Sequence, residues 1–485
     1  MTVSQFMSRA RTARRSGRLR PTDAAHVYVE RLPDFPNVVD VWVFDTSDDS
    51  ARPIDAAAAS EWLRARVAGD PTFRRCLVRV PLDLDYPLWV DDPDFSIENH
   101  VSSAVATEAG WAPVEQAIAA TLETPVDLSR PPWRLHLLTD VNGVAEFPAS
   151  ATVAVLTFHH CAGDGVRTVE LAEKLFAGTA TAPTPTDAAS SDRSFEGLSP
   201  SRASLAATAM WRLPVSLGIL MRGLGKGVLA SRSVALAGRR GELPAPVGPW
   251  PVTMFNTTYS GQAGVRTVSF DLGEVRRVKA VVAGATINDV AMTVTSLAMS
   301  SYLDGRAQRP DGSLGAVVPM SWRKSDRDLA TANQFCLMSV DLHTEAVCPL
   351  ERLRSISATA KQEKQRQRHR AMIRLGDVAD SVPAVLLRVL ARRRRPASGD
   401  TLPLGNVMIS NVPRSNSDLQ LLDAPVAAGF GVLAIGTGEV LSHFVSSLGE
   451  RLTVAVVADR RVVPDIDRYA ELLEKSFAEL CGALA

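Results

Sequence analysis

Residues Ala151–Phe158 read ATVAVLTF, a short apolar run rich in β-branched side chains, which predicts a strand buried on both faces. Past a polar turn, Val166, Val169, Leu171, Ala172, Leu175 and Phe176 recur at helical spacing, and Gly178 is placed to stop that helix. This strand, turn and helix close a first block that opens near Pro21. Thr179–Ser201 is rich in Ala, Thr, Ser, Pro and Asp and reads as an exposed linker. Leu205–Val234 is apolar but interrupted by Arg212, Pro214, Arg222, Gly223 and Gly225. Its first reading is a set of helices packed on the core; its second is an amphipathic surface that meets lipid.

A second block begins near Pro249. Val265–Leu272 alternates like a strand, and Gly315–Pro319, Met338–Leu342, Val407–Ser410 and Leu452–Ala458 add short strands. Glu274–Val282, Ile287–Leu303, Arg352–Arg370, Ser381–Arg395 and Asp467–Leu480 carry helical patterns. Strands and helices alternate without a fixed period, which predicts mixed α/β domains and no repeat array.

The chain has 485 residues, enough for two or three domains with a large core. Its 46% hydrophobic and 22% charged residues are an ordinary globular mix. Lys+Arg 53 balance Asp+Glu 53, so no global charge draws the chain to nucleic acid. The run Arg392–Arg395 lacks interleaved aromatics and reads as a solvated helix end. Cys76, Cys161, Cys336, Cys348 and Cys481 are scattered without a CxxC pair, which argues against a disulfide framework or zinc knuckle and makes a reducing compartment the expectation. No uninterrupted apolar run reaches the ~18 residues of a membrane span. The first twenty residues carry Arg9, Arg11, Arg14, Arg15, Arg18 and Arg20 and no acid. They read first as a solvated basic arm, and otherwise as a transit-peptide mimic or a membrane-surface contact.

His159-His160-Cys161-Ala162-Gly163-Asp164-Gly165 occupies the predicted strand-to-helix turn, a rigid and reachable position. Neighbouring side chains on extended backbone point opposite ways, so one histidine can support while the other faces a cavity. Two satisfied strand-end histidines are the plainer reading. Asp164 stands where a helix N-cap belongs, and could also aim the imidazole or meet a cation. Gly163 and Gly165 permit unusual φ angles and close backbone approach. A metal site is disfavoured because adjacent strand histidines diverge. A Cys161 nucleophile would need a partnered base. No GxSxG elbow exists, and Gly429-Phe430-Gly431 lacks the third glycine of a dinucleotide fingerprint.

HHCAGDG matches the HHxxxDG signature of the CoA-dependent acyltransferase superfamily. The wider chain resembles one branch, the bacterial wax ester synthase/diacylglycerol acyltransferases. Pro21-Thr22-Asp23-Ala24 resembles the family's opening S-P-x-D-A stretch, WVDDPDFSIENH (89–100) its W-x-x-D-x-x-F-D-x-x-x-H segment with Ser96 for Asp, and VDLSRPPW (126–133) its L-D-x-x-x-P-L-W passage. ATINDV (285–290), VPMSWR (318–323), SNVP (410–413) and DRRVVPD (459–465) also fit, in order along nearly the whole chain. Two passages depart. Arg414-Ser415 stand where the family has Gly-Pro, and IGTGEV (435–440) replaces a Pro- and Ser-rich passage. Both bear on substrate choice rather than on the histidine motif.

The resemblance implies two chloramphenicol-acetyltransferase-like domains, each a mixed sheet with flanking helices, and a tunnel at their interface. The expected boundaries are a basic arm at 1–20, a first domain at 21–200, connecting amphipathic helices at 201–248 and a second domain at 249–485. It implies an O-acyltransferase that moves a fatty acyl group from acyl-CoA, a co-substrate rather than a cofactor, to diacylglycerol or a fatty alcohol. His160 would be the general base, His159 and Asp164 its support, with Gly163 and Gly165 shaping the motif. Asn288 is a candidate oxyanion donor; as an alternative it caps the helix starting at Asp289, itself a structural residue. Trp322 and Arg323 are candidates to line the acyl or CoA path. A cytoplasmic protein without a metal or nucleic-acid partner is expected, with peripheral attachment to membrane or lipid inclusions as a further expectation. Two other readings stay open: an acyltransferase of specialised metabolism with a carrier-bound donor or polar acceptor, and a non-catalytic lipid-binding paralogue.

Overall fold

A computed structural model describes residues 17–48, 54–178, 201–321, 333, 335–393, 402–414 and 418–484. Residues 179–200 of the predicted linker, the arginines at 9–15 and at 394–395, and Trp322 and Arg323 lie outside the described residues.

Two six-stranded sheets carry the molecule. The first joins β1 (Asn37–Asp45), β4 (Val101–Val105), β5 (Trp133–Val141), β6 (Ala151–His159), β11 (Gln420–Leu421) and β12 (Ala424–Leu433) in the order β11-β12-β1-β6-β5-β4. The second joins β7 (Ala263–Asp271), β8 (Gly315–Ser321), β9 (Phe335–Asp341), β10 (Val407–Asn411), β13 (Leu441–Leu448) and β14 (Arg451–Asp459) in the order β7-β14-β13-β10-β8-β9. A small ribbon pairs β2 (Arg75–Val78) with β3 (Leu88–Asp91). Both sheets are mixed. β4 runs parallel to β5, and β10 runs parallel to both β8 and β13, while the remaining pairs are antiparallel. The mixed α/β class follows.

β6 is buried at every residue, as suits its charge-free, β-branched and largely apolar run in mid-sheet. One face of the first sheet is covered by helices Ala56–Val67 and Gly165–Phe176, whose Leu63, Leu171 and Leu175 pack on Trp42, Phe44 and Phe158. The second sheet is covered by helices Leu272–Ala280, Ile287–Asp304, Pro349–Arg368 and Ile466–Gly482. Between the sheets lies a common core that draws Val39, Val41 and Val155 from one side and Phe444, Ala455 and Val457 from the other.

The boundary expected at 249 does not separate the sheets. Residues 420–433 belong to the second block by sequence, yet β12 pairs along β1 from Val38–Leu433 to Phe44–Val426 and completes the first sheet. Gly429 and Gly431 lie in this strand and explain the glycine pair. A Cβ at Gly431 would collide with the Phe444 ring, and one at Gly429 would sit 3.0 Å from Trp42.

The segment expected to form helices packed on the core is instead one helix, Arg202–Arg239. Ser201 caps it by accepting from the Ser204 N–H at 3.2 Å. Only Leu205, Ala209, Gly223, Ala230 and Ala237 are buried along it. Pro214, Gly223 and Gly225 lower its helix propensity without ending it.

Candidate active site

The end of β6 is pinned from both neighbours. His159 faces Asn37 of β1 in register, its N–H reaches the Pro132 carbonyl at 3.0 Å, and the His160 N–H donates to the Pro36 carbonyl at 2.8 Å. The Ala162 N–H closes a turn on the His159 carbonyl at 2.9 Å. Asp164 then sits in extended backbone and caps helix Gly165–Phe176, accepting from the Arg167 N–H at 2.9 Å.

Gly163 and Gly165 do not adopt positive φ, so the expected backbone freedom is unused. Close approach is their role. A Cβ at Gly163 would lie 2.8 Å from Arg167 Cγ, and one at Gly165 would lie 3.2 Å from Val412 Cγ2 and 3.7 Å from the Phe444 ring. Gly165 thus lets the helix start seat against the second sheet.

The two histidines divide as their alternation on the strand predicts. His159 is fully buried, and its Nδ1 accepts from the Cys161 N–H at 3.1 Å. That bond leaves the proton on Nε2, which points to Glu30 Oε2 at 3.6 Å. His160 as a residue is half-buried. It stacks on His26 with centroids 4.0 Å apart and planes 3° from parallel, and Phe335 of β9 tilts against it at 5.9 Å. Its Nδ1 is buried without a hydrogen-bond partner among the described residues. Burial pushes the His160 imidazole below its ordinary 6.5, and the Asp164 carboxylate pulls the other way. The ring is therefore neutral near pH 7. His26 is pushed lower still by burial, with His160 and His159 adding to the effect.

Asn333 joins the second block to this turn. Its Nδ2 donates to the His160 carbonyl and to Asp23 Oδ1, each at 2.8 Å. Burial raises the Asp23 carboxyl from 3.8 to about 6, and the Asn333 bond opposes that rise. Cys161 is fully buried with its thiol pushed well above 9, so it lacks the thiolate that a nucleophile requires.

Asn288 and Asp289 fall on the first turn of helix Ile287–Asp304. Thr286, not Asn288, is the N-cap: its hydroxyl accepts from the Asp289 N–H while Asp289 accepts from the Thr286 N–H at 2.8 Å. Asp289 also accepts from the Ser357 hydroxyl at 3.1 Å, which makes it structural. These bonds stay within the second block and do not run to the His159–Gly165 turn. The Asn288 Oδ1 is buried and unpartnered among the described residues.

Asp23, His26, Glu30, Asn333 and Phe335 escaped the sequence reading as site residues. Asp23 and His26 carried a usable signal, since three-residue spacing places both on one face of helix Pro21–Val29. Asn333 and Phe335 carried none, because their proximity arises from the packing of the two sheets. A cavity of about 300 Å³ lies beside this helix, lined by Val27, Glu30, Arg31, Arg79, Arg388 and Arg392 among others. It reaches Glu30 but not the His160 ring.

Comparison with known proteins matches residues 19–291 to the wax ester synthase/diacylglycerol acyltransferase catalytic domain and residues 331–481 to the WS/DGAT C-terminal domain. A protein of Mycobacterium tuberculosis H37Rv named as a diacylglycerol O-acyltransferase is 27% identical, over 96% of this chain and 97% of its own. A second protein from that strain, also named as a diacylglycerol O-acyltransferase, is 25% identical over 95% and 98%. The fold resembles that of the wax ester synthase/diacylglycerol acyltransferase from Marinobacter aquaeolei VT8, with a TM-score of 0.65, 22% identity and coverage of 96% and 100%. It also resembles TRI3 trichothecene 15-O-acetyltransferase from Fusarium sporotrichioides, with a TM-score of 0.58, 11% identity and coverage of 96% and 95%.

Proposed function

The chain belongs to the wax ester synthase/diacylglycerol acyltransferase family, and on that premise we propose that His160 is the general base of its reaction. The protein is an acyltransferase that esterifies a lipid alcohol. The proposed donor is a fatty acyl-CoA, and the proposed acceptor is diacylglycerol, a long-chain alcohol, or both.

An aliphatic alcohol is a weak nucleophile at neutral pH, so its proton must leave as the C–O bond forms. Neutral His160 takes that proton while the alcohol oxygen adds to the thioester carbonyl. When the tetrahedral intermediate collapses, the C–S bond breaks and the imidazolium returns the proton to the departing thiolate. No acyl-enzyme is required. His159 holds the turn through Cys161, and Asp164 fixes the helix start and favours the imidazolium. Asn288 is the proposed donor to the developing oxyanion through its Nδ2, on the likeness of its Asn-Asp element to the family's.

The observation that carries this reading is the contrast between the histidines. His159 is fully buried, with Nδ1 spent on a backbone N–H and Nε2 turned toward Glu30, whereas His160 is only half-buried as a residue, is neutral near pH 7, and spends neither ring nitrogen on the turn's backbone. The test is transfer from radiolabelled palmitoyl-CoA to diacylglycerol, hexadecanol or a polar alcohol, by wild type and His160→Ala. Lipid ester from wild type and a loss of about 10²–10⁴-fold in the variant are expected. Undiminished turnover by a folded variant would overturn the role of His160. Products from polar alcohols alone would overturn the lipid acceptor.

A further inference from the structure

Helix Arg202–Arg239 is an oddity in a folded chain. At 1.5 Å per residue its 38 residues span about 57 Å, with few side chains buried. Its contacts lie on one side. Leu205 and Ala209 are buried against the body, Gly223 sits so close to Ser381 that a Cβ there would collide with it, and Gly227 faces Val378. Met210, Pro214, Leu217, Met221, Leu224 and Val228 fall on the opposite side, because their spacings of three and four residues repeat the helical period. Met210, Leu217, Met221, Leu224 and Val228 are exposed, and Trp211 beside them is 78% exposed.

Charge is just as one-sided. The helix carries Arg202, Arg212, Arg222, Lys226, Arg232 and Arg239 and not one Asp or Glu. Next to it, helix Ala384–Arg393 exposes Val385, Leu386, Val389 and Leu390 and carries Arg388, Arg392 and Arg393. The two helices meet around Pro81–Asp83, where Leu82 is 80% exposed and Arg388 pairs with Asp83 at 2.7 Å. Asp83 and Asp85 hold Arg388 and Arg212, but neither helix has an acid of its own, and their exposed apolar side chains together with their cations fit an anionic lipid surface.

We propose that the outer face of helix Arg202–Arg239, with Leu82 and the outer side of helix Ala384–Arg393, docks on an anionic phospholipid bilayer. The helix lies along the surface. It is long and apolar enough to cross a membrane, but crossing would tear Gly223 and Gly227 from Ser381 and Val378 at mid-helix. Helix Ala384–Arg393 packs directly on helix Pro21–Val29, which carries the His26 that stacks on His160. The docked face is therefore one helix away from the proposed base. This benefit rests on the acyltransferase reading, whereas the docking itself does not.

The experiment is flotation of the full chain with vesicles of phosphatidylcholine alone and of phosphatidylcholine mixed with phosphatidylglycerol, at low and high salt. Wild type is expected to float with the anionic vesicles, less with neutral ones, and less as salt rises. Leu217→Glu/Met221→Glu/Leu224→Glu and Arg232→Glu/Arg239→Glu should each weaken that binding at least roughly ten-fold. Both alter exposed positions, and both should keep the wild-type melting temperature and turnover of a water-soluble alcohol. Failure of wild type to float, or flotation of both variants like wild type, would overturn the docking face. Resistance to alkaline carbonate extraction would overturn the surface-lying geometry in favour of a span. Self-association abolished by the apolar variant without loss of flotation would assign the face to a second copy instead. Since flotation needs no catalysis, inactive protein that floats leaves this inference standing.

Discussion

The imidazoles of His26 and His160 lie face to face, 4.0 Å apart and within 3° of parallel. Stacked this closely, two imidazolium ions would repel, and burial already disfavours either charge. Both rings titrate below the ordinary 6.5 in the folded chain, so the native state binds fewer protons than the unfolded one. The stability this confers is complete above about pH 6.5 and is lost as pH falls below it, through the lower values at which the folded rings take up protons. The acidic limb of kcat/KM should likewise lie below 6.5 rather than at it. His26→Phe keeps the ring that shields His160 and should leave the limb in place. His26→Ala admits water and should move it up toward 6.5. A pH profile with a soluble acceptor reads both, and a limb at or above 6.5 in wild type would contradict the buried, neutral base.

Asp164 accepts a backbone hydrogen bond at a helix start and sets its carboxylate near the His160 ring. Asp164→Ala should cost about 0.5–2 kcal/mol of stability through the lost cap. Asp164→Asn keeps a good cap, so it should melt close to wild type. Removing the charge that favours the imidazolium should push the His160 limb lower. Thermal melts and initial rates on both variants separate the roles. An Asp164→Asn protein that melts normally yet has lost all activity would show that the charge is used in catalysis.

The local plan of the active turn was legible in the sequence because every signal there is local. The run Ala151–Phe158 had no charged residue and only Thr152 and Thr157 among its polar positions, helical spacing began at Val166, and Asp164 stood between them. Most strand and helix positions in the second block follow from the same short-range periodicity. The path of β12 does not, because its partner β1 lies almost four hundred residues away and nothing near Gly429 encodes that pairing. For segment 205–234 the composition leaves core packing and a lipid-meeting surface both open, since the two share it, and the few buried positions of helix Arg202–Arg239 go against the first. Asp289 was identified as structural, but its capping partner Thr286 was displaced by two residues in the reading. Asn333 carries no such local signal, since its two bonds cross between the blocks.

Asp23 is a buried acid that pays for its ionisation at neutral pH. With its carboxyl raised from 3.8 to about 6, the folded chain binds more protons than the unfolded one between those values. Stability from this group is fully present below 3.8 and falls as pH rises through 6, by an amount on the order of 3 kcal/mol. Asp23→Asn removes the penalty and keeps an oxygen to accept from Asn333. The variant should melt above wild type at about pH 8, and the gap should close toward about pH 4. An equal difference in melting temperature at both ends would mean that ionised Asp23 is not penalised.

Arg414, which departs from the family's Gly-Pro, forms a fully buried ion pair with Asp40 of β1 at 2.7 Å and lies over the Trp42 ring at 4.5 Å. It ties the segment after β10 to the middle of the first sheet. The pair is incompletely solvated, since Arg414 Nε and Nη1 and Asp40 Oδ2 have no hydrogen-bond partner among the described residues. Removing one partner strands the other charge in the core, so Arg414→Met should cost about 3–5 kcal/mol. Replacing both removes the desolvation cost of each ion, and Asp40 stands in a strand reading NVVDVWVFD that would accept an apolar residue. Asp40→Val/Arg414→Met should therefore recover most of the loss in urea unfolding, a coupling of several kcal/mol. If the double variant were as unstable as the sum of the two singles, the pair would not be acting as a unit. Arg414 would then be stabilising the chain chiefly through its packing on Trp42.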